Sequence, residues 1–335
     1  MFKVYDDTIF YLLCPANKKT GGTELAHQLV RELNLNNVKA YITYYYWEKF
    51  PEPINPAFKE YVKEYKKIQE IQDDSKNVLL VPEINWLELD KFSRIQKGIW
   101  WMSVDNYVKN AGFMGAWKIN GFVKALKALI KGHVSLFMKD FDKDVEHFYQ
   151  SEYARRFLMD KGIKNPMKLS DYVNDSYLES TPAVSRENNV LYNPQKGIKY
   201  TKKLIKAAPD FNWIPIQNMT TGEVKELLSK SKVYIDFGNH PGKDRFPREA
   251  AISGCCVITG KKGSAAFYED IPIGDEFKFR GQDSDIPEII NKIRKCLDDY
   301  EEMSEHFEKY RDMIKKEHEW FREDAKKIIK ICKEK

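Results

Sequence analysis

The sequence predicts an α/β protein of two domains, each a sheet wound with helices, and three observations lead there. The chain has 335 residues, long enough for two domains of ordinary size with a core in each. Short apolar runs alternate with stretches of helical spacing, the pattern of strand–helix–strand units. Polar segments punctuated by Gly and Pro follow the strands, and in open α/β sheets ligands bind at such edges. Composition narrows the class. Hydrophobic residues make up 42% and charged residues 31%, as in a soluble globular protein. The net charge of +5 is spread along the chain, and no nucleic-acid motif accompanies it. Five cysteines, with no CxxC pair, suggest reduced thiols. No apolar run approaches the roughly 20 residues that span a bilayer, and Asp6 and Asp7 do not suit a signal peptide, so a cytoplasmic protein is expected.

Taken in order, Thr8–Cys14 reads as a strand, Thr20-Gly21-Gly22-Thr23 as a glycine loop, and Glu24–Leu33 as a helix carrying Leu25, Leu29 and Leu33 on one face. Two glycines at a helix start let backbone N–H groups approach an anion. The loop is neither GxGxxG nor GxxxxGK[ST], which disfavours a nicotinamide site or an NTPase P-loop. Val38–Tyr46 and Asn77–Val81 are further strands, and the Lys/Glu-rich Phe58–Ile71 reads as an exposed helix between them. Ile99–Tyr107 is read as a fourth strand that brings Asp105 and Asn106 to the same rim, either for acid–base work or as caps of the next segment. Trp117–Phe137 reads as an amphipathic helix with Phe122, Leu126, Leu129 and Ile130 on one side and Lys124, Lys127 and Lys131 as a second stripe. Its lysines could meet an anionic bilayer or only solvent. A strand and helix follow within Glu146–Ile163, with Ser151 as the helix cap. Asn165-Pro166 and the stretch from Asp171 to Pro182 read as a linker.

The second half opens with a strand and loop over Asn188–Gly197, a helix over Thr201–Ala208, a strand over Asn212–Ile216, and a loop containing Met219 before a helix over Glu223–Ser229. Its centre is Tyr234–Thr259: a buried strand ending at Asp236, a loop His240-Pro-Gly-Lys-Asp-Arg245, a short helix with Pro247 in its first turn, a stop at Gly254 and a strand from Cys255. Lys243, Arg245 and Arg248 beside a helix start would attract an anion such as a pyrophosphate. Gly263-Ser264 follows the next strand, as backbone phosphate donors or as a tight turn. From Asp285 to the end the spacing is helical, with one buried stripe from Ile289 to Ile314.

Glu249-Ala-Ala-Ile-Ser-Gly-Cys-Cys-Val-Ile258 resembles the helix Glu-Ala-Met-Ala-x-Gly-x-Pro-Val-Ile of retaining GT-B glycosyltransferases of the family-four type. The order of Gly21-Gly22, Asp105, the Ser151-capped helix and Lys196-Gly197 agrees with that likeness. The resemblance implies a GT-B fold, two Rossmann-like domains facing a central cleft, divided as 1–168, 169–315 and a C-terminal helix 316–335 that crosses back to the first domain. It implies that Glu249 binds the ribose of a nucleotide sugar, and that Gly21, Gly22, Lys196, Gly242, Arg248, Met219, Gly263 and Ser264 line the donor. Two departures stand out. The family's first glutamate corresponds here to Pro241, and its diphosphate-binding arginine is missing near Asn193-Pro194. His240, Lys243 and Arg245, with Asp105, are therefore the candidates for catalysis.

The expected activity is transfer of a sugar from a nucleotide sugar to a glycan or lipid-linked acceptor, with retention, in surface polysaccharide or glycolipid synthesis. No cofactor and no metal are expected, and the protein would be cytoplasmic with peripheral contact to an anionic membrane through Lys124, Lys127 and Lys131. A nucleotide-sugar 2-epimerase of the same fold, or a degenerate module that binds a nucleotide sugar without turnover, are the other readings.

Overall fold

The computed structural model describes residues 1–131, 144–178 and 185–332. Its internal contacts form two compact units, one of Met1–Gln150, Ala154–Asp171 and Glu319–Lys335, the other of Ser151–Tyr153 and Tyr172–His318.

In the first unit, strand β1 (Phe2–Val4) precedes β2 (Ile9–Pro15), helix α1 (Gly21–Leu35), β3 (Lys39–Tyr45), β4 (Tyr65–Lys67), β5 (Val78–Pro82) and β6 (Gln96–Trp101). Helices α2 (Val104–Ala111), α3 (Phe113–Asn120) and α4 (Phe122–Ile130), strand β7 (Val145–Tyr149), helix α5 (Glu152–Asp160) and β8 (Met167–Lys168) follow. The main sheet is parallel throughout, ordered β4-β3-β2-β5-β6-β7-β8. Both faces of a central parallel strand are covered, which is why β5 reads Val-Leu-Leu-Val-Pro with every residue buried. Helix α1 starts at Gly21, earlier than its apolar spacing suggests. Thr20 and Thr23 close a capping box there, which satisfies N–H groups that a helix start leaves open. Leu25, Leu29 and Leu33 are buried as the spacing requires.

The second unit continues with β9 (Glu187–Tyr192), α6 (Ile198–Ala207), β10 (Asn212–Pro215), α7 (Thr221–Lys230), β11 (Ser231–Asp236), α8 (Arg245–Ile252), β12 (Cys256–Gly260) and β13 (Lys278–Phe279). Helices α9 (Ile286–Asp298) and α10 (Tyr300–Glu305) follow, and α11 (Glu308–Lys327) begins in this unit, whereas its end and strand β14 (Ile329–Ile331) belong to the first. The sheet of the second unit is also parallel, ordered β10-β9-β11-β12-β13. The core takes Val190, Leu191, Val233, Tyr234 and Ile235 from the strands and Ile289, Ile293, Phe307, Tyr310 and Ile314 from the helices, the expected stripe. The five cysteines are free thiols.

Four expectations need correction. Phe58–Ile71 is not a helix: short turns at Pro56–Phe58 and Ile68–Glu70 flank β4, because Tyr65 pairs with Ile42 on β3 and its ring lies against Tyr44. Tertiary pairing overrides the helical spacing there. The fourth strand stops at Trp101, so Asp105 lies in the first turn of α2 and not on a strand. Trp117–Phe137 is not one helix; it breaks at Gly121 between α3 and α4, and its end at 137 lies outside the described residues. The C-terminal segment is not helical to Ile331 but ends in β14, parallel to β1. Within the first unit, Asp324 of α11 accepts hydrogen bonds from Ser170 N and Oγ at 3.1 and 2.7 Å. Residues 179–182 of the expected linker also lie outside the described residues.

Candidate functional site

In the second sheet β9 has β10 on one side and β11 on the other, so the chain reverses its direction of winding between β9 and β11. Loops at such a reversal leave a crevice at the C-terminal strand edge, the usual ligand position in open α/β sheets. The two loops concerned are 193–197, after β9, and 237–244, after β11. Close packing holds them together. A Cβ on Gly197, whose φ is +63°, would lie 2.6 Å from Gly238 N, so only glycine fits both the conformation and the approach. The loop after β12 joins them. Gly263 has φ +58° and its backbone meets the His240 carbonyl closely enough that a Cβ would collide with it. Ser264 donates from N to His240 O at 2.9 Å and from Oγ to Gly242 O at 2.6 Å. Gly263 and Ser264, expected as phosphate donors, therefore bind loop to loop, and Gly242 offers its carbonyl to Ser264.

A buried charge network occupies the loop interior. Lys196 Nζ lies 2.7 Å from Asp244 Oδ2. His240, with no exposed surface, has Nδ1 at 3.0 Å from the same carboxylate and Nε2 at 3.6 Å from Asp236 Oδ1, ion-pair approaches that do not meet hydrogen-bond geometry. Burial alone would lower the pKa of His240, but Asp244 and Asp236 outweigh it and the net shift is upward. Burial likewise acts to raise Asp244, and His240 with Lys196 reverses this to a net lowering. The two carboxylates and the imidazole are close enough to suggest a cation site. Their donor atoms do not suit one. Asp236 already accepts from Gly238 N at 2.8 Å and from Tyr234 Oη at 3.1 Å, Asp244 is neutralised by Lys196, and the carboxylates face opposite nitrogens of one ring. The group is a structural ion network at the base of the loop.

Two expected anion-binding cations are turned elsewhere. Arg248 is fully buried; its Nη1 donates to Glu317 Oε2 at 2.9 Å and its Nη2 to Lys243 O at 3.0 Å. Lys243 Nζ meets the other oxygen of Glu317 at 2.6 Å. Arg245 and Glu249 remain half-buried on α8, one at its first residue and one a turn later. Asp244 holds the N-cap position of this helix without making a side-chain cap. Met219 is 37% exposed in the loop before α7, next to Asn218 with φ +54°.

The first sheet has the same kind of reversal, between β2 and β5. Gly21 and Gly22 follow β2, and Glu83 follows β5. Glu83 is buried and accepts a hydrogen bond from Met102 N at 3.0 Å; burial pushes its carboxyl up to about 7. A Cβ on Gly22 would make ordinary contact with Met102 Sδ, so Gly22 and the Met102 turn share this edge. Asp105 is half-buried two residues beyond Ser103, the N-cap of α2. Among these groups Glu83, Glu317 and the two carboxylates around His240 were not singled out from the sequence. Asp236, His240 and Asp244 do stand four apart in the chain, a spacing that was open to notice. Nothing in the sequence links Glu317 to Arg248.

No protein-family model matches the chain, and no curated protein matches it by sequence. Solved structures do. HepE from Anabaena, in complex with UDP and glucose, superposes with a TM-score of 0.62 at 12% identity over 95% of this chain and 98% of its own. Sucrose-phosphate synthase from Thermosynechococcus elongatus gives 0.63 at 12% identity over 96% and 97%. TarM from S. aureus, in complex with fondaparinux, α-GlcNAc-glycerol and UDP, gives 0.53 at 14% identity over 78% of this chain, which spans 57% of the length of TarM. At such identities the likeness speaks for architecture, and it agrees with two parallel sheets whose winding reverses at β2/β5 and β9/β11: the chain has the GT-B fold of these glycosyltransferases.

Proposed function

We propose that the chain is a glycosyltransferase that moves a sugar from a UDP-sugar to a glycan or lipid-linked acceptor with retention of configuration. The observation that supports this reading is the winding reversal at β9/β11, after which come the loop 193–197 with Lys196 and, beyond the loop 237–244, helix α8 with Arg245 and Glu249. UDP in the HepE and TarM complexes favours uridine as the base. Glu249 takes the ribose hydroxyls. Lys196, one-third exposed, exchanges Asp244 for the diphosphate, and Arg245 supplies the guanidinium that the Asn193-Pro194 loop lacks. Positive groups fixed before the reaction stabilise the diphosphate as negative charge builds on it, with no metal needed to do so. His240, Lys243 and Arg248 act as positioning residues: they hold the loop that carries Arg245 and Glu249. On the first unit, the edge that carries Gly21, Gly22 and Asp105 serves the acceptor. A role in surface polysaccharide or glycolipid synthesis follows from the acceptor class.

The test is release of UDP from a panel of UDP-sugars with and without saccharide and glycolipid acceptors, for the parent, Lys196→Ala and Arg245→Ala. Acceptor-dependent release, cut at least tenfold in both variants, is the expected result. Conversion of one sugar into its 2-epimer without transfer would make the chain an epimerase. UDP-sugar binding with no release on any acceptor would reduce it to a binding module.

A further inference from the structure

The α3–α4 hairpin is built inside out. Its two helices meet through the small side chains of Ala116 and Ala125, both buried, with Phe113, Ala128 and Leu129 against them. Six larger apolar residues face solvent instead: Met114 is 57% exposed, Trp117 44%, Phe122 50%, Val123 65%, Leu126 40% and Ile130 77%. Trp117 and Phe122 pack edge to face at 5.3 Å across the break at Gly121, so their rings form one surface. An apolar surface of this extent on a monomer marks a binding face. Its surroundings say what binds. From Asn106 to Lys131 the sequence has five lysines and no acidic residue, and Lys124, Lys127 and Lys131 are exposed beside the apolar side chains. A second copy of the chain would bring like charges together. No described helix is long and apolar enough to cross a membrane.

We propose that α3–α4 lies flat in the surface of an anionic bilayer, with Phe122, Val123, Leu126 and Ile130 among the acyl chains and the lysines on the headgroups. A helix whose apolar side is flanked by lysines binds this way, each lysine near the surface contributing about fivefold in affinity. The face extends the proposed activity by selecting an acceptor presented at a membrane surface, and its chemistry does not depend on the donor site.

The experiment is co-sedimentation of the full chain with vesicles of phosphatidylcholine alone and of phosphatidylcholine with phosphatidylglycerol. Variants are Lys124→Glu/Lys127→Glu/Lys131→Glu and Val123→Ser/Ile130→Ser, all at exposed positions. The parent should bind the anionic vesicles and not the neutral ones. The charge variant should lose more than about a hundredfold in affinity, the serine variant should lose at least tenfold, and stabilisation by UDP should be the same in all three. A parent that ignores anionic vesicles, variants that bind as well as the parent, or a concentration-dependent dimer abolished by the serine changes would overturn the proposal. Failure of the donor reading would show separately, as absence of a UDP effect in every protein.

Discussion

Arg248 and Lys243 show how far residue chemistry can be read before folding. Both stand in a loop after a strand, both are cationic, and both invite a phosphate. The fold gives them to Glu317, buried on α11 and remote in sequence, so two cations and one carboxylate share a site with almost no water. Neutralising the carboxylate removes the charge that both cations share. Glu317→Gln should therefore cost about 3 to 5 kcal/mol in urea unfolding, and a loss within error of zero would show that the network is dispensable. Glu83 behaves oppositely. Its folded pKa of about 7 lies above the ordinary 4.5, so the native state binds the extra proton between those values. Stability therefore falls as pH rises through that window, and the cost is complete above about 7. Glu83→Gln keeps an acceptor for Met102 N and removes the charge. It should be more stable than the parent at pH 8, by up to about 3 kcal/mol, and equal to it near pH 4. An equal difference at both pH values would contradict the burial argument.

At the scale of elements, continuous apolar runs were the most legible feature. Strands β2, β3, β5 and β12 fall within a residue or two of where the runs place them, since buried parallel strands leave little room for polar residues. Pro247 in the first turn of α8 and Gly254 after its end, with φ +98°, act as helix punctuation. Phe58–Ile71 failed because Phe58, Tyr61, Val62, Tyr65 and Ile68 fit helical spacing, yet pairing of β4 with β3 decides their structure. Strand β14 was missed because three residues after a long charged helix carry almost no pattern. Gly263 tests the loop contacts. Gly263→Ala puts a Cβ against the His240 carbonyl at a left-handed backbone position. It should destabilise the protein by at least about 2 kcal/mol and weaken UDP binding. Unchanged stability would mean that the three loops are not locked together.

For the whole molecule, the two-domain α/β class was legible because length, strand–helix alternation and loop composition agree with one another. The candidate donor site was legible in part. Lys196, Arg245 and Glu249 follow β9 and β11, the two strands at the reversal, whereas the division of labour between ligand contacts and buried ion pairs depends on residues far apart in sequence. The amphipathic segment was visible as well, but only the structure shows that its helices bury alanines and leave six larger apolar side chains outside. The central claim, a UDP-sugar site at the β9/β11 reversal, is tested most directly by thermal unfolding with UDP, other nucleoside diphosphates and UDP-sugars, for the parent, Lys196→Ala and Glu249→Ala. Binding to the native state should raise the parent's midpoint in proportion to the logarithm of UDP concentration, and both variants should lose most of that rise. A midpoint unmoved by any nucleotide, or moved equally in parent and variants, would contradict the claim.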